Sequence, residues 1–203
     1  VQSQGRIYWR MGKTDKALAF WQAVYNDDPS QTDVYNKRKG LYGEVGKWHS
    51  LVELLKKRLS AVGDDVEAQI AVHLEMIEVY SEHIKSDTKV ISTWQAVLLL
   101  DPGNRKALDA LQDVYERMKR WPDLVRVLTA RIDHTEDTAE KLALHRQVAE
   151  IMLERFSNSS EAIKHYQAIQ EIEPTNLDAL SRLKELYEQR KAWEQYVEVA
   201  QQE

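Results

Sequence analysis

Apolar residues return every third or fourth position through almost the whole chain, and short polar breaks interrupt them at regular distances. Leu108, Leu111, Val114 and Tyr115 share one helical face, and Trp121, Leu124, Val125, Leu128 and Ile132 do the same in the next segment. Asp101-Pro102-Gly103-Asn104 and Glu173-Pro174-Thr175-Asn176 are turn sequences that each end on a residue suited to cap a helix. Pro122 falls in a first helical turn, where its missing N–H costs nothing. The pattern predicts helices over 1–12, 14–27, 31–45, 47–61, 66–85, 87–100, 104–119, 121–134, 138–156, 159–172, 176–190 and 192–203. No strand is expected. The helices pair into hairpins of about 1–27, 31–61, 66–100, 104–134, 138–172 and 176–203. A lone hairpin cannot bury its apolar stripe, so stacking on neighbours has to supply the core.

The breaks keep a register. Trp48, Trp121 and Trp193 lie 73 and 72 residues apart, as do Pro29, Pro102 and Pro174, and again Trp21, Trp94 and Tyr166. Each such unit divides in two. Tyr8, Tyr42, Ser81, Tyr115, Leu153 and Tyr187 are equivalent, with separations of 34, 39, 34, 38 and 34. The period is therefore 34, with extra residues in alternate repeats placed in Ala61–Glu67 and His134–Glu140. Both stretches are polar and acidic, as loops should be.

Thirty-four residues make one helix–turn–helix repeat. Gly5, Tyr8, Gly12, Ala17, Trp21 and Pro29 stand at the separations of the tetratricopeptide repeat, which the first repeat resembles closely. The motif decays along the chain. The small residue before each Tyr becomes Lys39, Gln112 and Lys184, and the small residue of the second helix becomes Leu51, Leu124 and Tyr196. The resemblance implies an all-α fold, an α-solenoid of about six stacked hairpins wound as a right-handed superhelix. Residues 1–203 are expected to form a single array, cut from a longer chain.

Composition narrows the function. Gly (7) and Pro (4) are scarce, the net charge is −5, and no cysteine is present, so disulfides and thiolate metal sites are excluded. No basic stripe of the kind that nucleic acid needs is visible. No apolar run approaches the roughly 18 residues of a membrane span. Gly12-Lys13-Thr14 lacks the upstream Gly of a phosphate loop, since Ile7 stands there. His49, His73, His83, His134, His145 and His165 show no metal-ligand spacing and read as helix residues. Asn158-Ser159-Ser160 is a glycosylation sequon that also reads as a helix start. The repeated Trp residues read as core or inter-hairpin packing, and Trp121 is expected to be largely buried. No catalytic residue, cofactor or metal is expected.

The resemblance implies partner binding on the concave face, lined by the first helix of each hairpin. Candidates there are Asn36, Gly40, Gly43, Glu75, Glu82, Asp109, Asp113, Glu116, Glu185 and Glu188. The face is mostly acidic beyond residue 70, which favours a basic or amphipathic protein segment. Gly40 and Gly43 are unusual, because each costs a helix about 1 kcal/mol relative to Ala. They could form a notch for close approach of a partner backbone. Arg38 replaces the Leu found at Leu111 and Leu183, and Lys37-Arg38-Lys39 with Lys56-Lys57-Arg58 makes the one basic patch. The sequence therefore points to a non-enzymatic protein-binding scaffold in a larger assembly, with the cytoplasm as its expected site. The alternatives are an RNA-processing protein of the half-TPR or pentatricopeptide kind, and a regulatory segment of a larger enzyme.

Overall fold

The computed structural model describes residues 2–27 and 32–202. Pro29 of the repeat register lies outside them. Among the described residues there are twelve α-helices and no strand. Two compact units divide the chain, Val1–Leu100 and Asp101–Glu203.

The first unit holds α1 (Gln2–Arg10), α2 (Thr14–Asp27), α3 (Thr32–Glu44), α4 (Trp48–Ala61), α5 (Val66–Glu78) and α6 (Asp87–Leu100). A π-helical turn, Val79–Ile84, continues α5 where a regular helix is expected. The second unit holds α7 (Arg105–Arg117), α8 (Trp121–His134), α9 (Thr138–Phe156), α10 (Ser159–Ile172), α11 (Leu177–Gln189) and α12 (Trp193–Ala200). In both units consecutive helices pack as hairpins, and each hairpin's second helix meets the first helix of the next. This is the helix–turn–helix repeat that the spacing implies.

Local chemistry explains the helix boundaries. Asp65, Asn104, Asp137, Asn158 and Asn176 cap α5, α7, α9, α10 and α11, each accepting a bond from a first-turn backbone N–H. The sequon Asn158 is thus a helix cap. Pro122 occupies the first turn of α8. The turn inside each hairpin carries one left-handed residue: Gly12, Gly46, Lys85, Lys119, Ser157 and Lys191. Their spacing repeats the 34, 39, 34, 38, 34 series of the Tyr positions. The first two are Gly, which adopts positive φ freely, and the later ones carry a side chain at a cost. Lys119→Gly and Lys191→Gly should each raise stability by about 0.5–1 kcal/mol in urea unfolding, the relief of strain exceeding glycine's entropy.

The core follows the predicted stripes. Ala17, Leu18 and Trp21 are buried in α2, and Gly5 of α1 is the reason Trp21 fits: a Cβ at residue 5 would overlap the indole. In the second unit Tyr166, Leu180 and Leu183 are buried within one cluster that α9, α10, α11 and α12 share. The repeated Trp at the head of the second helix departs from expectation. Trp48 and Trp121 are only half-buried and Trp193 is 55% exposed. Trp121 is not a core residue. Its ring face is instead covered by the Arg155 guanidinium, 4.6 Å from the ring centroid. At the equivalent place Trp48 stacks on the His83 imidazole, with centroids 3.5 Å apart and rings 2° from parallel.

Candidate functional site

Helix α3 positions the site. It buries Val34, Tyr35, Arg38, Leu41 and Tyr42 on one side, which leaves Asn36, Gly40 and Gly43 along the other edge at spacings of four and three. Arg38 is 3% exposed, and its Nη2 donates to the Tyr42 hydroxyl at 2.9 Å. The predicted basic patch is therefore largely consumed inside the unit. Lys39 Nζ is paired with Glu75 Oε2 at 2.8 Å, Lys56 with Glu53 at 2.8 Å, and the Arg58 guanidinium sits 5.3 Å from the centre of the Tyr35 ring.

Across from that edge, α5 and its π turn bring up Glu75, Glu78, Val79 and His83, and α4 supplies Trp48, Leu51 and Leu55. Together these residues bound an open groove of about 450 Å³. A smaller groove of about 170 Å³ lies on the other side of Gly40, between α3, Trp9 and Trp21. Four sequence candidates, Asn36, Gly40, Gly43 and Glu75, thus converge on one groove. Glu82 is next to it on the π turn, exposed, with Lys85 Nζ at 4.0 Å. A Cβ added at Gly40 would meet nothing within 4 Å, and one at Gly43 would reach only the Trp48 ring, at 4.0 Å. Neither glycine has the positive φ that would demand it. The packing of the unit does not require glycine at either position.

The equivalent place in the second unit is filled. Asp113 and Glu116 stand where Gly40 and Gly43 stand, one 73-residue step later. Glu116 Oε1 accepts from Gln112 Nε2 at 3.0 Å and from Gln147 Nε2 at 2.9 Å. Asp109 is held by Arg105 at 3.3 Å and Arg131 at 3.2 Å, and Glu185 by Arg182 at 3.2 Å. Asp113 and Glu188 are exposed on α7 and α11. The acidic candidates of the second unit are thus spread over two helices, and three of them already hold internal partners.

Among the described residues Glu140, which the sequence places at the end of an acidic loop, is the most perturbed carboxylate. It accepts from Thr135 Oγ1 at 2.7 Å, Arg131 Nη2 at 2.6 Å and Arg105 Nη1 at 2.9 Å. The Thr135 and Arg131 hydrogen bonds, followed by Arg105, hold its pKa down to about 2. The histidines hold one arrangement that spacing does not reveal: His145 and His165 Nδ1 atoms are 2.9 Å apart between α9 and α10. Burial pushes both pKa values down, and the neighbouring His145 charge lowers that of His165 further. No group of three or more metal-ligating side chains exists among the described residues. No described helix is long and apolar enough to cross a membrane.

A sequence profile of the tetratricopeptide repeat matches residues 107–142, which run from α7 through α8 into α9. Those residues match a tetratricopeptide repeat, and the other hairpins share its helix–turn–helix form. No curated protein matches the chain. Solved structures similar to it include a tetratricopeptide repeat protein from Parabacteroides merdae, at 12% identity and TM-score 0.43, covering 97% of this chain and 75% of that one. Another is the TPR2AB domain of yeast Sti1 in complex with an Hsp90 peptide, at 15% identity and TM-score 0.38, covering 99% and 87%. A third is the MamA protein, at 16% identity and TM-score 0.41, covering 84% and 88%. A tetratricopeptide-like repeat supports a protein-interaction scaffold in general terms; the surface it uses has to be argued from its own residues.

Proposed function

We propose that this chain is a non-enzymatic scaffold that holds a protein or peptide partner in a larger assembly, with the groove beside Gly40 and Gly43 as the contact surface. The observation that carries the reading is the pair of glycines in the second half of α3, Gly40 inside the helix and Gly43 in its last turn. Gly40 costs the helix about 1 kcal/mol relative to Ala and Gly43, in the last turn, costs less; neither is needed by packing, and both border the 450 Å³ groove. A partner chain passing over them explains the cost, because only a residue without Cβ lets another backbone come that close. Asn36 supplies a side-chain amide on the same edge, suited to a peptide group.

The reading predicts opposite signs for stability and binding. Gly40→Ala with Gly43→Gln should raise stability by about 1 kcal/mol, most of it from Gly40 inside the helix, and should weaken partner binding. Photo-crosslinking in cells, from a reactive side chain at residue 36, reads the second half. The adduct should be lost in the double variant, while a crosslinker at residue 113 should give no such dependence. An adduct formed equally well by the double variant would remove the groove from consideration.

A further inference from the structure

Resting on that reading, we infer that the groove of the first unit takes a basic side chain, Lys or Arg, from an extended segment of its partner. The groove has two kinds of wall. Leu51, Leu55 and Val79 form an apolar floor long enough for an aliphatic stem. Glu75 and Glu78 stand on the α5 side as carboxylates. Glu75 receives both Lys39 and the Tyr35 hydroxyl on Oε2, at 2.8 and 3.3 Å. Glu78 is exposed and lines the groove, and the Ser81 hydroxyl bonds its backbone oxygen, at 3.2 Å, and not its carboxylate. Counting Lys39 against the two carboxylates leaves an excess of one negative charge, with the His83 ring at the same rim. An apolar floor below an uncompensated carboxylate fits a long aliphatic stem with a cationic head. It suits neither an acidic side chain nor a short polar one.

The second unit supports this by comparison. Glu150 repeats the Glu78 position, but Gln147 replaces Glu75 and Gln112 replaces Lys39. There the two glutamines hold the Glu116 carboxylate, which fills the place above the position of Gly43. The first unit lacks that side chain and carries charge where the second carries amides. The repeat has thus exchanged an internal carboxylate for an opening. Trp48 and Trp121, equivalent in the two units, provide a matched pair of reporters.

The test uses the whole chain and five short probes, acetyl-Gly-Ala-X-Ala-Gly-amide with X as arginine, lysine, citrulline, norleucine or glutamate. Binding is read by NMR titration at concentrations up to about 10 mM, the range of a contact made through one side chain. The arginine and lysine probes should shift the Trp48 indole N–H and the Gly40 and Gly43 amides, and leave the Trp121 indole unmoved. Citrulline keeps arginine's length and shape without its charge, and norleucine keeps lysine's aliphatic stem without its ammonium; both should bind at least tenfold more weakly, as should the arginine probe to Glu78→Gln. Added salt should weaken the basic probes, because the carboxylate is exposed. Gly43→Gln should abolish all shifts while the protein remains folded. Equal binding of arginine and citrulline would overturn the inference and leave the groove reading standing. Shifts at Trp48 that persist in Gly43→Gln would overturn both. No shift at Trp48 with any probe would overturn the inference alone, since the crosslinking experiment decides the groove separately.

Discussion

Trp21→Ala and Tyr166→Ala should each cost about 3–5 kcal/mol, whereas Trp121→Ala should cost about 1–2 kcal/mol. Trp21 and Tyr166 are both 1% exposed and occupy equivalent places in their repeats. Removing either leaves a cavity that its neighbours, already packed, cannot close. Trp121 is half-buried, and much of what it loses is the contact with Arg155. The measurement is urea unfolding of the full chain with each variant compared at constant slope. Each loss should fall mainly on the adjacent hairpins, because repeats couple to their neighbours. A Trp121→Ala penalty as large as that of Tyr166→Ala would mean that the ring is core after all.

Those three residues also show what a sequence can and cannot reveal here. The helices and their pairing were legible because the 34-residue spacing repeats in several independent markers. The left-handed turn residues fall on that series even where Gly has become Lys or Ser. The depth of each aromatic was not legible. Trp48 and Trp121 are repeated as faithfully as Trp21, yet their exposure depends on a residue 34 or 35 positions on, His83 for one and Arg155 for the other. The glycine notch stood out in the sequence as two costly residues in one helix. Of its opposite wall only Glu75 was a candidate: Glu78 stands at the end of α5, and His83 reaches the groove through a π turn that no periodicity marks. The acidic face was legible as composition only. The pairing of Asp109 and Glu185 with arginines, and of Glu116 with glutamines, depends on side-chain reach between positions up to 31 residues apart.

Glu140 should make the second unit sensitive to acid. Its carboxyl ordinarily titrates at 4.5 and is held at about 2 in the folded chain. The folded value lies below the unfolded one, so the unfolded chain takes up the proton first. The contribution is fully present above about pH 4.5 and is lost as pH falls toward about 2. Each tenfold change in a protonation equilibrium is worth about 1.4 kcal/mol, so the carboxylate contributes about 3 kcal/mol near neutrality. Glu140 is 16% exposed and Arg131 14%, so solvent screens this group less than it does an exposed pair. The bonds also tie α7 to the start of α9 through Arg105, and they pin the 135–137 connection through Thr135. Glu140→Gln keeps the shape and removes the charge, and should cost about 2–3 kcal/mol at pH 7. The gap between wild type and variant should shrink as pH is lowered from 5 to 2, because the wild-type carboxyl becomes neutral as well. Other carboxylates titrate in both proteins and cancel in that difference. Guanidinium unfolding at a series of pH values, followed by the emission of the second unit's Trp residues, measures it. A gap that stays constant across that range would show that the three donors hold the side chain by shape and not by its charge.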